Sequence, residues 1–204
     1  MENDHYLTLA APAEAYNRER SSKFLSYAFP VESEEEIREA LEGLRKRYFD
    51  ATHHCYAWRL GPQGEQFRAN DDGEPSGTAG RPILGQMLSM GVTNCLVVVV
   101  RYFGGTKLGV PGLIAAYKEA TQEVLSAAEI VERTVDDRIR ITFPYIAMND
   151  VMKAVKEEQP RIEEQLFDNL CTMQLRIRRS LSERLTGKLR KVEGASLEIE
   201  ELPF

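Results

Sequence analysis

The chain has 204 residues, of which 43% are hydrophobic and 28% charged, and it carries a formal net charge of −6. These proportions are those of a globular protein with a real core, and they exclude wholesale disorder. An acidic whole excludes a general polyanion binder, so any nucleic-acid contact must use a local patch.

In chain order, residues 24–31 alternate in polarity and predict a strand. The spacing predicts a helix over residues 33–48. Ser33 and Glu36 form a capping box ahead of an apolar face made by Ile37, Ala40, Leu41, Leu44 and Tyr48. Two strands, 52–60 and 66–69, are separated by the turn sequence 61–64. Residues 70–82 are loop by composition, rich in Asp, Gly and Pro. A short apolar helix is predicted over 83–90. Residues 94–103 then read as a fully buried strand, because the valines do not alternate with polar residues. A glycine-rich loop, 104–112, leads into a helix over 111–128 with proline in its first turn.

The style changes after a charged stretch at 132–137. Strand 138–145, helix 149–158, strands 161–168 and 171–178, helix 181–191 and strand 196–200 give the order βαββαβ, the ferredoxin-like plan. Ser180 and Glu183 form a second capping box. The expected class is α+β in two domains, 1–134 and 135–204.

Two glycine-rich loops carry the chemistry. Residues 104–109 match only half of a phosphate loop, since Val110-Pro111 follows where a Lys-Ser or Lys-Thr pair is needed. A buried strand, a side-chain-free loop and a helix N-terminus remain, with Arg101 and Lys107 adding charge, and that arrangement suits an anion. Gly104, Gly105, Thr106 and Gly109 shape this loop, and Arg81 is a further cation nearby in sequence. The first loop places Asp71, Asp72, Gly73 and Glu74 beside Ser76, Gly77 and Thr78. Acids among hydroxyls suit a metal or a self-bonded polar loop, and the adjacent Asp71 and Asp72 point apart, which favours the loop.

His53 and His54 are neighbours on a strand and face opposite ways, so they are poor co-ligands. Either one, beside Asp72 or Glu74, has the makings of a general base. Cys55 shares a face with His53, but their spacing of about 6.6 Å is poor for a nucleophile pair. The stretch 176–191 collects seven basic residues against one acid, Glu183. Arg176, Arg178 and Arg179 open that stretch and make it the one basic patch in view.

The three cysteines, Cys55, Cys95 and Cys171, form no CxxC pair and point to buried thiols in a reducing compartment. No apolar run reaches membrane-spanning length, and the first residues lack the pattern of a signal peptide. The expectation is a cytoplasmic protein with no membrane partner, no metal and no cofactor.

Residues 69–84 and 99–117, with the histidine-bearing strand 52–59, resemble the signature segments of the IMPACT family, in its bacterial YigZ-type form. The resemblance spans about residues 20–130 and departs from the usual smaller residues only at Val110-Pro111. It implies an N-terminal domain like domain two of ribosomal protein S-five and the fourth domain of elongation factor G. It implies a small ferredoxin-like C-terminal domain similar in plan to the last domain of that factor. Eukaryotic relatives regulate translation through protein–protein contact, and the resemblance brings no catalytic residue set. The expected function is therefore a non-enzymatic, translation-associated binding protein that contacts RNA, the ribosome or a translation factor. Two other readings are a small-molecule enzyme using a His/acid pair and the anion loop, and an adaptor presenting Tyr102, Phe103 and Leu108.

Overall fold

The strand Cys95–Tyr102 organises the first half of the molecule. Cys95, Val97 and Val99 enter one apolar core, while Leu96, Val98 and Val100 enter another. A strand buried on both faces needs no polar alternation, which is why its sequence is an unbroken apolar run. In the computed structural model, which describes residues 4–202, this strand is β6, at the middle of a five-stranded antiparallel sheet.

The elements in chain order are β1 (His5–Leu9), β2 (Ala13–Glu19), β3 (Ser22–Pro30), α1 (Glu34–Arg47), β4 (His53–Leu60), β5 (Gln66–Asn70), α2 (Gly80–Ser89), β6 (Cys95–Tyr102), α3 (Gly109–Ala127), β7 (Ile130–Thr134) and β8 (Asp136–Pro144). A 3-10 turn at Tyr145–Ala147 is followed by α4 (Met148–Glu158), β9 (Arg161–Leu166), β10 (Leu170–Arg178), α5 (Arg179–Leu189) and β11 (Ser196–Glu201). The chain divides into two compact units: Tyr6–Arg133, and residues 134–204 joined by the first five residues.

In the first unit the sheet order is β2-β3-β6-β4-β5. Helix α1 covers one face through Ile37, Leu41 and Leu44, and α2 and α3 cover the other. The Ser33 cap forms as the sequence indicates: its hydroxyl accepts the Glu36 N–H at 3.2 Å. The Glu36 carboxylate reaches back to the Glu32 N–H at 2.8 Å. A separate two-stranded sheet pairs β1 with β7. These two strands and β2 go beyond the elements read from the sequence.

The second unit has the sheet order β11-β8-β10-β9, with every adjacent pair antiparallel. This is the ferredoxin-like arrangement, and the α+β class holds for both units. Ile139, Ile141 and Phe143 of β8 and Met173, Leu175 and Ile177 of β10 pack under α4 and α5. Alternate residues face away from the helices, giving the strict alternation of a half-covered antiparallel sheet.

The expected Ser180–Glu183 capping box is absent. Helix α5 begins at Arg179 without a side-chain cap from its own N-cap residue. Asp4 supplies the missing acceptor: its Oδ2 takes the Ser180 N–H at 2.9 Å, and its Oδ1 takes two bonds from Arg178 at 2.6 and 2.8 Å. A carboxylate at a helix N-terminus satisfies an unpaired donor and opposes the positive end of the helix dipole.

Candidate functional site

The first loop is folded around Asp71. Its Oδ2 accepts the Gly77 N–H at 2.8 Å, and its Oδ1 accepts those of Ala79 and Gly80 at 3.1 and 2.8 Å. Asp71 thus caps α2 from eight and nine residues upstream and starts that helix three residues before the expected position. Burial raises the carboxyl pKa, but the three N–H donors and Arg81 outweigh burial and hold it below the usual aspartate value. Asp72 takes a positive φ of 42°, and its Oδ2 accepts the His54 N–H at 2.6 Å. Thr78 donates to the Pro75 carbonyl at 2.6 Å. Hydroxyls and acids in this loop therefore bond mainly to the loop's own backbone. Gly73, Ser76 and Arg81 are exposed.

Glu74 points inward and meets Arg101 at the end of β6. Arg101 shares the register of Val97 and Val99, so its side chain enters the core between cross-strand neighbours Phe24 and His53. The residue is 4% exposed. Its Nη1 donates to Glu74 Oε1 at 2.6 Å and its Nη2 to Ser22 Oγ at 3.2 Å. The guanidinium lies 5.6 Å from the ring centres of both Phe24 and Phe103. Tyr117 of α3 donates to the same Glu74 oxygen at 2.7 Å. The carboxylate thus ties the first loop, β6 and α3 together, and burial raises the Tyr117 phenol well above the usual tyrosine value.

His53 and His54 face opposite sides of the sheet as period-2 geometry requires. His53 Nδ1 lies 2.8 Å from the Asp72 carbonyl, and its Nε2 lies 3.6 Å from Glu74 Oε1. His54 Nε2 lies 3.0 Å from the Tyr48 carbonyl, and its Nδ1 lies 3.8 Å from Asp72 Oδ2. Each imidazole thus makes one hydrogen bond to a backbone carbonyl, and its other nitrogen lies near a carboxylate beyond hydrogen-bond distance. The Cys55 thiol lies 3.0 Å from the Asp71 carbonyl and 3.3 Å from the Tyr117 hydroxyl, either of which can accept its one proton. Burial pushes its thiol far above the ordinary value, so it is not an activated nucleophile.

The second loop leaves β6 over this network. The Gly104 N–H reaches Ser22 Oγ at 3.3 Å, and a Cβ on Gly104 would fall 2.2 Å from the Ser21 carbonyl carbon. Gly104→Ala is accordingly expected to cost about 1–3 kcal/mol, measured by urea denaturation, because the clash is with backbone. Gly105 and Gly109 have positive φ values of 90° and 74°. Thr106 and Lys107 are exposed, and Lys107 makes no ion pair among the described residues. Leu108 is buried, so it cannot belong to an adaptor patch, whereas Phe103 is 45% exposed.

Four of the sequence-derived anion contacts are placed otherwise than expected. Arg101 is a buried partner of Glu74. Arg176 pairs with Asp136 at 2.7 Å, Arg178 with Asp4 at 2.6 Å and Arg179 with Asp137 at 3.0 Å. Each of these three arginines shares a carboxylate within its own unit while its side chain stays 32–40% exposed, so the formal charge of the strand-end stretch is partly offset locally. The exposed positions that remain are Arg81, Gly104, Gly105, Thr106, Lys107 and Gly109. Tyr117 and Ser22 are network members the sequence reading missed. A tyrosine on the buried face of α3 and a serine two residues ahead of the β3 apolar pattern were the available signals.

The profile described as the Impact N-terminal domain matches residues 20–125. The IMPACT family member YvyE of Bacillus subtilis is 36% identical over 143 residues, which is 70% of this chain and 66% of that protein. The chain thus spans just under two thirds of that relative. An IMPACT family member of Haemophilus influenzae is 30% identical over 188 residues, or 90% of both chains. Eukaryotic proteins named Protein IMPACT match over 96 residues. A solved structure described as an hypothetical protein is 27% identical and superposes over 98% of both chains with a TM-score of 0.71. The two loops that meet at Glu74 and Arg101 lie inside the matched segment, and this chain belongs to the IMPACT family.

Proposed function

We propose that the protein is a non-enzymatic, translation-associated binding protein that presents the 104–109 loop to RNA on the ribosome. One observation carries this reading. The histidines each bond to a backbone carbonyl and Glu74 bonds to Arg101 and Tyr117, while the exposed parts of the second loop are glycine backbone, Thr106 and Lys107. A fixed underside with an exposed, side-chain-poor loop suits contact with a surface, because backbone N–H groups then approach phosphate closely. The translation-regulating eukaryotic relatives implied by the family resemblance support the same direction.

Cosedimentation with ribosomes, alongside binding to free RNA at two salt concentrations, tests the proposal. Association is expected to fall steeply as salt rises. Lys107→Glu is expected to weaken it several-fold at low salt and to lower the salt slope by about one, the share of one phosphate contact. Unchanged association of this variant would remove the loop from the interface. A second reading, an adaptor for a translation factor, draws on exposed Phe103, Val110 and Ile114. Salt-insensitive association that is lost in Phe103→Ala would favour it.

A further inference from the structure

The end of the five-stranded sheet where the second loop leaves β6 carries two rings outside the core. Phe49, in the turn between α1 and β4, is 82% exposed, and Phe103, just after β6, is 45% exposed. One exposed ring on a surface needs no explanation, but these two stand on a braced end and among unpaired cations. The 48–52 turn is bonded to the end of β6. The Tyr102 hydroxyl donates to Asp50 Oδ1 at 2.8 Å, the Thr52 N–H to the Arg101 carbonyl at 2.9 Å and the Phe103 N–H to Thr52 Oγ1 at 3.0 Å. The buried Arg101 guanidinium lies over the Phe103 ring, which is thereby backed from within.

The cations come from three elements. Lys46 and Arg47 belong to the last turn of α1, immediately before Phe49. Lys23 of β3 stands directly across from Tyr102 in the β3–β6 register, and Lys107 belongs to the second loop. All four are exposed, and none pairs with a carboxylate among the described residues. The carboxylates at this end are engaged elsewhere. Asp50 accepts the Tyr102 hydroxyl, and Asp71 and Asp72 accept backbone N–H groups. Glu19 lies 3.9 Å from Arg20 in the β2–β3 turn that abuts Gly104. The chain as a whole carries a net charge of −6, so the positive surplus here is local and selects a local anionic partner.

We infer that this sheet end is a platform for single-stranded RNA, with unpaired bases stacked on Phe49 and Phe103 and phosphates held by Lys23, Lys46, Arg47 and Lys107. The inference rests on the RNA-binding reading above and adds which form of RNA is bound. A strand of nucleotides repeats one flat ring and one anion, and this surface offers rings and cations side by side. Paired bases hide their faces inside the duplex, so only an unpaired base can stack on an exposed phenylalanine. A protein partner is served less well, because Phe49 follows directly on cations and not on a contiguous apolar patch.

Fluorescence anisotropy of the full chain with three probes of about twelve nucleotides tests it, a length within the span of one single-strand site. The probes are oligouridine, an RNA duplex and an abasic ribose-phosphate strand. Oligouridine is expected to bind at least about fivefold more tightly than the other two, the effect of stacking one base. Phe49→Ala removes a ring that is 82% exposed, so the core is untouched. It is expected to weaken oligouridine binding by about fivefold to a hundredfold at every salt concentration. The salt slope is expected to stay the same, because the phosphate contacts remain. Phe49→Trp is expected to keep the affinity, and its added indole to be quenched by oligouridine. Undiminished binding in Phe49→Ala, or a duplex or abasic strand that binds as tightly as oligouridine, overturns the inference and leaves the RNA reading standing. Salt-dependent binding to none of the probes and not to ribosomes removes both. If Phe49→Ala weakens cosedimentation with ribosomes while no free RNA binds, the ring contacts a protein, and the inference is equally overturned.

Discussion

Arg101→Ala is expected to destabilise the Tyr6–Arg133 unit by about 3–5 kcal/mol, read as a lowered urea midpoint. The loss is large because removing the guanidinium leaves the Glu74 carboxylate buried, with only the Tyr117 hydroxyl and a more distant imidazole beside it. An unpaired buried charge costs far more than the net contribution of the pair that contained it. The double variant Arg101→Met/Glu74→Leu is therefore expected to be more stable than Arg101→Ala alone, although the Tyr117 phenol loses its acceptor. If Arg101→Ala instead retains wild-type stability, the Glu74–Arg101 pair does not hold the loops together. A variant at Arg101 also cannot report on RNA binding, because it alters the foundation of the loop; Lys107 is the position that can.

Asp4→Asn is expected to cost the second unit about 2 kcal/mol at neutral pH, the range of hydrogen bonds made to a charged group. The two bonds from Arg178, partly offset by burial and reinforced by the Ser180 N–H, hold the Asp4 carboxyl far below the ordinary aspartate value. A depressed folded-state pKa stabilises the protein above the unfolded value of about 3.9 and loses that contribution as pH falls through the folded value. The gap between wild type and Asp4→Asn should thus be full at pH 6–7 and shrink below about pH 4. Stability measured by denaturant titration across that interval checks it; a gap independent of pH would show that the carboxylate's charge plays no part.

Much of the architecture was legible because it rests on local pattern. The unalternating β6 run announced a strand covered on both faces, and the Ser33–Glu36 box announced α1. The βαββαβ order gave the second unit. The short strands β1, β2 and β7 were not legible. Each is five to seven residues long, and β1 and β7 depend on a partner more than a hundred residues away. The site was only half legible. An arginine ending a fully apolar strand, in register with Val97 and Val99, requires a buried carboxylate, and Glu74 was the acid in the neighbouring loop. The glycines that flank both residues carry the same signature as a surface anion loop, and local sequence does not separate the two. The basic run at 176–179 misled for a different reason. Its carboxylates come from Asp4, Asp136 and Asp137, separated by 174, 40 and 42 residues, so a local count of charge overstates the field that remains after folding.

The Asp4 cap also has a temporal side. Arg178 and Ser180 are translated 174 and 176 residues after Asp4. At synthesis rates of roughly 5–20 residues per second, the carboxylate waits many seconds for the helix it caps. The unit ending at Arg133 has all its strands and helices available before that helix leaves the ribosome. Nascent chains would therefore complete their first core early and close the second unit last, by a long-range contact whose loop entropy has by then been reduced by the folded segment between its ends.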